Sequence, residues 1–150
     1  MALKEKITED MKTAMKAKDT VALTVLRGLL STISNRAIEK RTKTGKDEPL
    51  TDEEILGALM SEAKKRKESI VVFSQNKRDD LAGNEKTELT VIEKYLPAQL
   101  SADEVALAVE KIFAGAPVKE FGPVMKLVMA ELRGKADAGV VTDLIKKKLG

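Results

Sequence analysis

The stretch Glu93-Lys94-Tyr95-Leu96-Pro97-Ala98-Gln99-Leu100-Ser101-Ala102-Asp103-Glu104 closes one helical segment and opens another. Pro97 has no amide donor and its ring drives Leu96 out of the helical region, so a helix running up to Tyr95 must end there. Ser101 and Glu104 then stand at the S-x-x-E spacing of a capping box. The hydroxyl takes the Glu104 amide and the carboxylate reaches back to the amide of Ser101. A joint is therefore expected near position 97, dividing the chain into an amino-terminal part, 1–96, and a carboxy-terminal part, 97–150.

Upstream of the joint the apolar residues recur at helical spacing. Leu3, Ile7, Met11 and Ala14 make one stripe that fades near Lys18. Asp19 suits the cap of a second helix, in which Leu23, Leu26, Leu30, Ile33 and Ala37 share a face that Ala22, Val25 and Leu29 widen. A stripe that broad belongs to a central helix with neighbours on several sides. Residues 42–50, with Gly45 and Pro49, carry the charges and breakers of a loop. Thr51 and Glu54 repeat the capping-box spacing and start a helix bearing Ile55, Leu59, Ala63, Ile70 and Phe73, expected to run to about Asn76. Arg78 to Asp80 turn the chain into a fourth, with Leu81, Leu89, Ile92 and Tyr95 on its apolar side.

Downstream, three short helices are expected. Val105, Ala108, Val109 and Ile112 follow the Ser101 cap until Gly115-Ala116-Pro117. Gly122 and Pro123 begin the next, which Val124, Leu127, Val128 and Leu132 make amphipathic and Gly134 closes. After Asp137-Ala138-Gly139, the residues Val140, Val141, Leu144, Ile145 and Leu149 form the last. No segment alternates as a strand does, so the fold class is all-α: a helical hairpin or bundle followed by a small three-helix domain.

At 150 residues and 43% apolar, the chain can bury a core. Cysteine and histidine are both absent, which excludes disulfides and thiolate chemistry and removes the commonest general base and metal ligand. Neither a metal nor a cofactor is expected. The longest run of large apolar residues, Ile70 to Phe73, falls far short of the ~18 that span a bilayer. The chain starts with the charged Lys4-Glu5-Lys6 rather than a signal core, so the expected location is the cytoplasm, with no membrane partner.

The net charge is +3, with 19 basic against 17 acidic residues over 1–95 and 8 against 7 over 96–150. Neither part is strongly basic, but the cations cluster. Arg36, Lys40, Arg41, Lys43 and Lys46 crowd one loop region, Lys64 to Lys67 form a run, and Lys146 to Lys148 close the chain. Each run has a plain reading as a solvated face, and the last also favours the negative end of its helix dipole. The third and fourth helices raise a sharper point. Continuing their apolar stripes reaches Arg66 on one and Glu85, with Glu88 beside it, on the other. In an antiparallel hairpin a partly buried Arg66 would pair with Glu85 or Glu88, because a buried cation requires a partner.

Catalytic patterns fail. Ser61-Glu62-Ala63-Lys64 has the S-x-x-K spacing but lacks the S-D-N and K-T-G elements that accompany it. Neither a Walker loop nor a G-x-G-x-x-G turn is present. The carboxylates of Asp52-Glu53-Glu54 and Asp79-Asp80 lie at helix starts, where the dipole favours anions.

Tyr95-Leu96-Pro97-Ala98-Gln99-Leu100-Ser101, followed by Phe121-Gly122-Pro123-Val124-Met125-Lys126 and then Gly134-Lys135-Ala136-Asp137, resembles the YqeY-like family. That family is related to the helical carboxy-terminal tail of GatB, a component of the tRNA-dependent Asp/Glu amidotransferase. Leu26-Arg27, Lys65-Arg66-Lys67-Glu68-Ser69, Glu85 and Glu88 extend the likeness over nearly the whole chain. One departure is that Ala138 separates Asp137 from Gly139, where many relatives carry glycine directly after the aspartate. The resemblance implies kinship with carbon–nitrogen ligases that use glutamine as amide donor. It also implies the work of the tail, which is engaging tRNA.

Recognition would use phosphate contacts and shape rather than stacking of single-stranded bases, since the chain has no Trp, one Tyr and three Phe, most of which the stripes assign to the core. The residues implied are Arg133, Lys135, Lys146 and Lys147 around the Asp137 turn, with Lys64, Lys65 and Lys67 upstream. The alternative is a module that docks on an amidotransferase, a synthetase or another factor through exposed Met or Val of the last two helices.

Overall fold

The computed structural model describes residues 3–150, and the described residues form seven helices and no strand. They are α1 (Leu3–Ala17), α2 (Thr20–Thr44), α3 (Asp52–Gln75), α4 (Asp79–Glu93), α5 (Ala102–Gly115), α6 (Phe121–Leu132) and α7 (Ala138–Leu149). The all-α class read from periodicity is the class observed. The chain divides into two compact units, Met1–Leu96 and Pro97–Gly150.

In the first unit the caps set the path. Lys18 takes a left-handed conformation (φ 58°), and Asp19 then accepts the Ala22 amide at 3.1 Å to open α2. The Thr51–Glu54 capping box opens α3 with both reciprocal bonds formed. α2 runs antiparallel to α3: Thr32 meets Glu62, Arg36 meets Ser61 and Lys40 meets Glu54. α3 and α4 form a helical hairpin, and Ile7, Leu29, Ile33, Ile55, Leu59 and Ile92 are the large side chains sealed in the shared core.

In the second unit, α5, α6 and α7 close around Val109, Val124, Val128, Val141 and Ile145. The Ser101–Glu104 box opens α5 and Pro123 sits in the first turn of α6. Gly134, at φ 78°, carries the left-handed turn after α6, and Asp137 accepts the Gly139 amide at 3.3 Å to start α7.

Three sequence expectations are corrected. Residues 42–44 are helical, so Arg36, Lys40, Arg41 and Lys43 lie on the last turns of α2 and only Lys46 is in the loop. The hydroxyls of Thr42 and Thr44 donate to the carbonyls of Ile38 and Lys40 at 3.0 Å each, and it is Gly45 (φ 72°) that ends the helix. α4 stops at Glu93 rather than Tyr95. Ahead of Pro97 the chain tightens into i→i+3 bonds, with Tyr95 and Leu96 donating to Ile92 and Glu93. The aromatic rings are less central than expected: Tyr95 is buried, Phe73 and Phe113 are half-buried, and Phe121 is 37% exposed at the start of α6.

Candidate nucleic-acid interface

Two of the stretches that carry the resemblance are joined through Gln99. Its Nε2 donates to the Pro97 carbonyl at 2.8 Å and to the Gly134 carbonyl at 2.6 Å. Both partners are acceptors, so the amide nitrogen must face them. Next to it, the Leu100 amide donates to the Lys135 carbonyl at 3.0 Å. The backbone on both sides of Lys135 is thereby fixed, with Gly134 and Ala136 buried, while the Lys135 side chain is exposed. Arg133, also exposed, precedes it as the C-cap of α6.

The remaining sequence candidates of this unit lie elsewhere. Lys146 Nζ is 5.9 Å from the centroid of the Phe121 ring, at the start of α6, whereas Arg133 and Lys135 follow its end. The 12 residues of α6 separate the two places by about 18 Å. Lys146 and Lys147 are therefore not near Arg133, Lys135 and Asp137, contrary to the expectation from sequence proximity. Two lysines outside the expected set share the Phe121 end. Lys119 Nζ donates to the carbonyls of Phe113, Ala114 and Ala116 and lies 5.1 Å from the Phe113 ring. This ammonium closes the carboxyl end of α5, where backbone carbonyls lack helical partners. Lys148 lies 5.9 Å from the same ring and 3.9 Å from Glu110.

In the first unit Lys64, Lys65 and Lys67 are exposed on α3. Lys65 lies 3.4 Å from Glu62, and Arg36 donates to the Ser61 hydroxyl at 3.4 Å, so a guanidinium faces this oxygen of the S-x-x-K stretch. Arg66 is mostly buried. Its Nη1 donates to Glu62 Oε2 at 2.6 Å and to the Glu62 carbonyl at 3.2 Å, while its Nε faces Glu88 Oε2 at 3.9 Å without a hydrogen bond. Glu88 thus approaches Arg66 across the α3–α4 hairpin, and Glu85 stands half-buried on the neighbouring turn. The main partner, Glu62, was not among the residues expected from sequence, although its i,i+4 spacing on one helix was the available signal. Burial alone would raise the Glu62 carboxyl, but the Arg66 hydrogen bond and the charges of Lys65 and Arg66 hold it below its ordinary value.

Near the end of this unit the Tyr95 hydroxyl donates to Asp10 Oδ2 at 2.5 Å, and Lys6 lies 5.8 Å from the ring. Burial pushes the phenol pKa upward, and the hydrogen bond and charge of Asp10 push it further, so the proton stays on the hydroxyl. The described residues contain no group of His, Cys, Asp and Glu arranged to hold a metal. None of their helices is long and apolar enough to cross a membrane.

The family described as Yqey-like protein matches residues 4–149. Among curated proteins, the chain is similar to "Altered inheritance of mitochondria protein 41, mitochondrial" of Kluyveromyces lactis, with 36% identity over 87% of this chain and 67% of that protein. The protein of the same name in Candida glabrata is 36% identical over 91% of this chain and 71% of its own length. The one in Saccharomyces cerevisiae is 40% identical over 58% and 44%. The chain thus spans about two-thirds of the length of the first two relatives. The expectation of a cytoplasmic location is contradicted by these names, which describe the relatives themselves as mitochondrial.

Proposed function

We propose, from the premise that this chain belongs to the YqeY-like family, that it is a tRNA-binding or tRNA-associated helical protein that meets phosphates through lysines and arginines held on rigid elements. The observation that carries the reading is the Gln99-braced turn. It fixes the backbone around Lys135 and leaves the ammonium in solvent. Positioning a cation on a backbone held from both sides lowers the ordering cost of a phosphate contact. The setting suggested by the relatives' names is mitochondrial. Kinship with glutamine-dependent carbon–nitrogen ligases remains an inherited label in this reading, and no chemical step is assigned to the chain.

A gel shift of total tRNA tests it. The wild-type protein should retard tRNA at low salt, and Lys135→Glu should lose most of the shift while melting at the wild-type temperature. An absent shift, or one insensitive to Lys135→Glu, would refute the reading.

A docking module is the second reading, favoured by Leu107, which is 66% exposed on α5, and by Val140, 44% exposed on α7. The methionines Met125 and Met129 do not serve it, because they pack against the core of the second unit. Leu107→Lys that releases an amidotransferase or synthetase from the protein in a nuclease-treated pull-down would support docking over RNA.

A further inference from the structure

Phe121, part of the Phe121-Gly122-Pro123 stretch, stays 37% exposed, whereas Val124 and Val128 on the same helix are sealed in the core. Lys146 sits 5.9 Å from the ring centroid. We propose that Phe121 is a stacking seat for an unpaired RNA base, and that Lys146 and Lys147 take the phosphates flanking that base. The inference rests on the RNA-binding reading, adds to it the class of nucleotide recognised, and departs from the expectation of recognition without base stacking because Phe121 is exposed rather than part of the core.

Several observations converge on it. The cations of this end are not equivalent: Lys119 is committed to three carbonyls and Lys148 lies 3.9 Å from Glu110. Among the described residues no carboxylate pairs with Lys146 or Lys147, and both are exposed. Lys146 is instead held against an aromatic face, a weak attraction at an exposed site that a base can replace. On replacement the ammonium moves from the ring to a phosphate, so one cation serves the free and the bound state. A single ring beside exposed lysines suits a base already out of a helix, since a paired base offers no free face. Recognition at this end is thus distinct from the phosphate contact at Lys135, about one α6 length away.

The chain contains no tryptophan, so Phe121→Trp creates a single reporter at the seat. The probes are a fluorescein-labelled single-stranded hexauridylate and a blunt RNA duplex, each followed by anisotropy and by tryptophan emission at low salt. Hexauridylate should quench Phe121→Trp and the duplex should not. Phe121→Ala should weaken hexauridylate binding about tenfold, Phe121→Tyr should retain it, and Lys146→Gln should weaken it several-fold. Lys146→Gln and Phe121→Tyr should keep the wild-type melting temperature, because both side chains reach the surface, and Phe121→Ala is read against Phe121→Tyr since part of its ring is covered. Anisotropy that reports binding while the emission stays fixed and Phe121→Ala binds like wild type would overturn the stacking seat and leave tRNA binding intact. If neither these probes nor tRNA bound at all, both readings would fall.

Discussion

Replacing Gln99 by leucine keeps the side-chain volume and removes the two bonds that Nε2 donates, at 2.8 Å to Pro97 and at 2.6 Å to Gly134. A side-chain hydrogen bond contributes roughly 1 kcal/mol net, and a buried acceptor left without a donor costs about 1 kcal/mol or more. Gly134 is buried, so its carbonyl has little recourse to water. Gln99→Leu should therefore destabilise the second unit by about 2–3 kcal/mol, equivalent to a fall of roughly 20 °C in melting temperature for a unit of this size. Gln99→Glu should be worse, since a carboxylate would face two carbonyl oxygens. The assay is denaturant unfolding of the full chain, with hydrogen exchange at the Leu100 amide as the local readout, because that amide donates to Lys135. Exchange there should accelerate in step with the loss of stability. A loss below about 0.5 kcal/mol for Gln99→Leu, or a Gln99→Glu variant as stable as wild type, would refute the bracing role.

Tyr95→Phe deletes the donor to Asp10 and should cost about 1.5 kcal/mol, the lower end for a hydrogen bond to a charged group because Asp10 is half-buried and can be hydrated. Urea denaturation of the variant gives the number, and an unchanged midpoint would contradict it. Arg66→Met leaves Glu62, whose side chain is only 14% exposed, without its main partner and should cost roughly 2 kcal/mol by the same measurement. Because the folded carboxyl of Glu62 lies below its ordinary 4.5, its contribution is present above the unfolded pKa and disappears as pH falls through the folded one. Stability should decline on acidification below about pH 5, and Glu62→Gln should flatten that decline; parallel profiles would refute the assignment. Lys119→Met uncovers three carbonyls at the end of α5 and should cost about 1 kcal/mol, visible as faster exchange in the last turn of that helix.

Much of the fold was legible because its punctuation is chemical. Ser101–Glu104 and Thr51–Glu54 announce helix starts through side chains whose function is local, and Asp19, Pro123 and Gly134 do the same with single residues. Where propensity is ambiguous the sequence misleads. Thr42 and Thr44 suggest a loop, yet their hydroxyls bond back into α2 and the basic cluster there belongs to a helix face. The candidate site was less legible, because sequence proximity says nothing about which end of a helix pair a residue reaches. Lys146 follows Lys135 by less than one helix, but α6 and α7 are antiparallel and carry them to opposite ends. The apolar stripes of α3 and α4 point from Arg66 across the hairpin, whereas its main partner, Glu62, sits four residues before it on the same helix. Gln99 reads as a polar residue in a turn until Gly134 is seen beside it.

The most direct measurement is the salt dependence of tRNA affinity for the wild-type protein, Lys135→Gln and the double variant Lys135→Gln/Lys146→Gln. For phosphate binding the logarithm of the association constant falls linearly with the logarithm of salt, and each lost contact flattens the slope by about 0.7–0.9. A steep wild-type line that flattens in two such steps is the predicted result. A flat wild-type line, or no measurable affinity at the lowest salt, would contradict it.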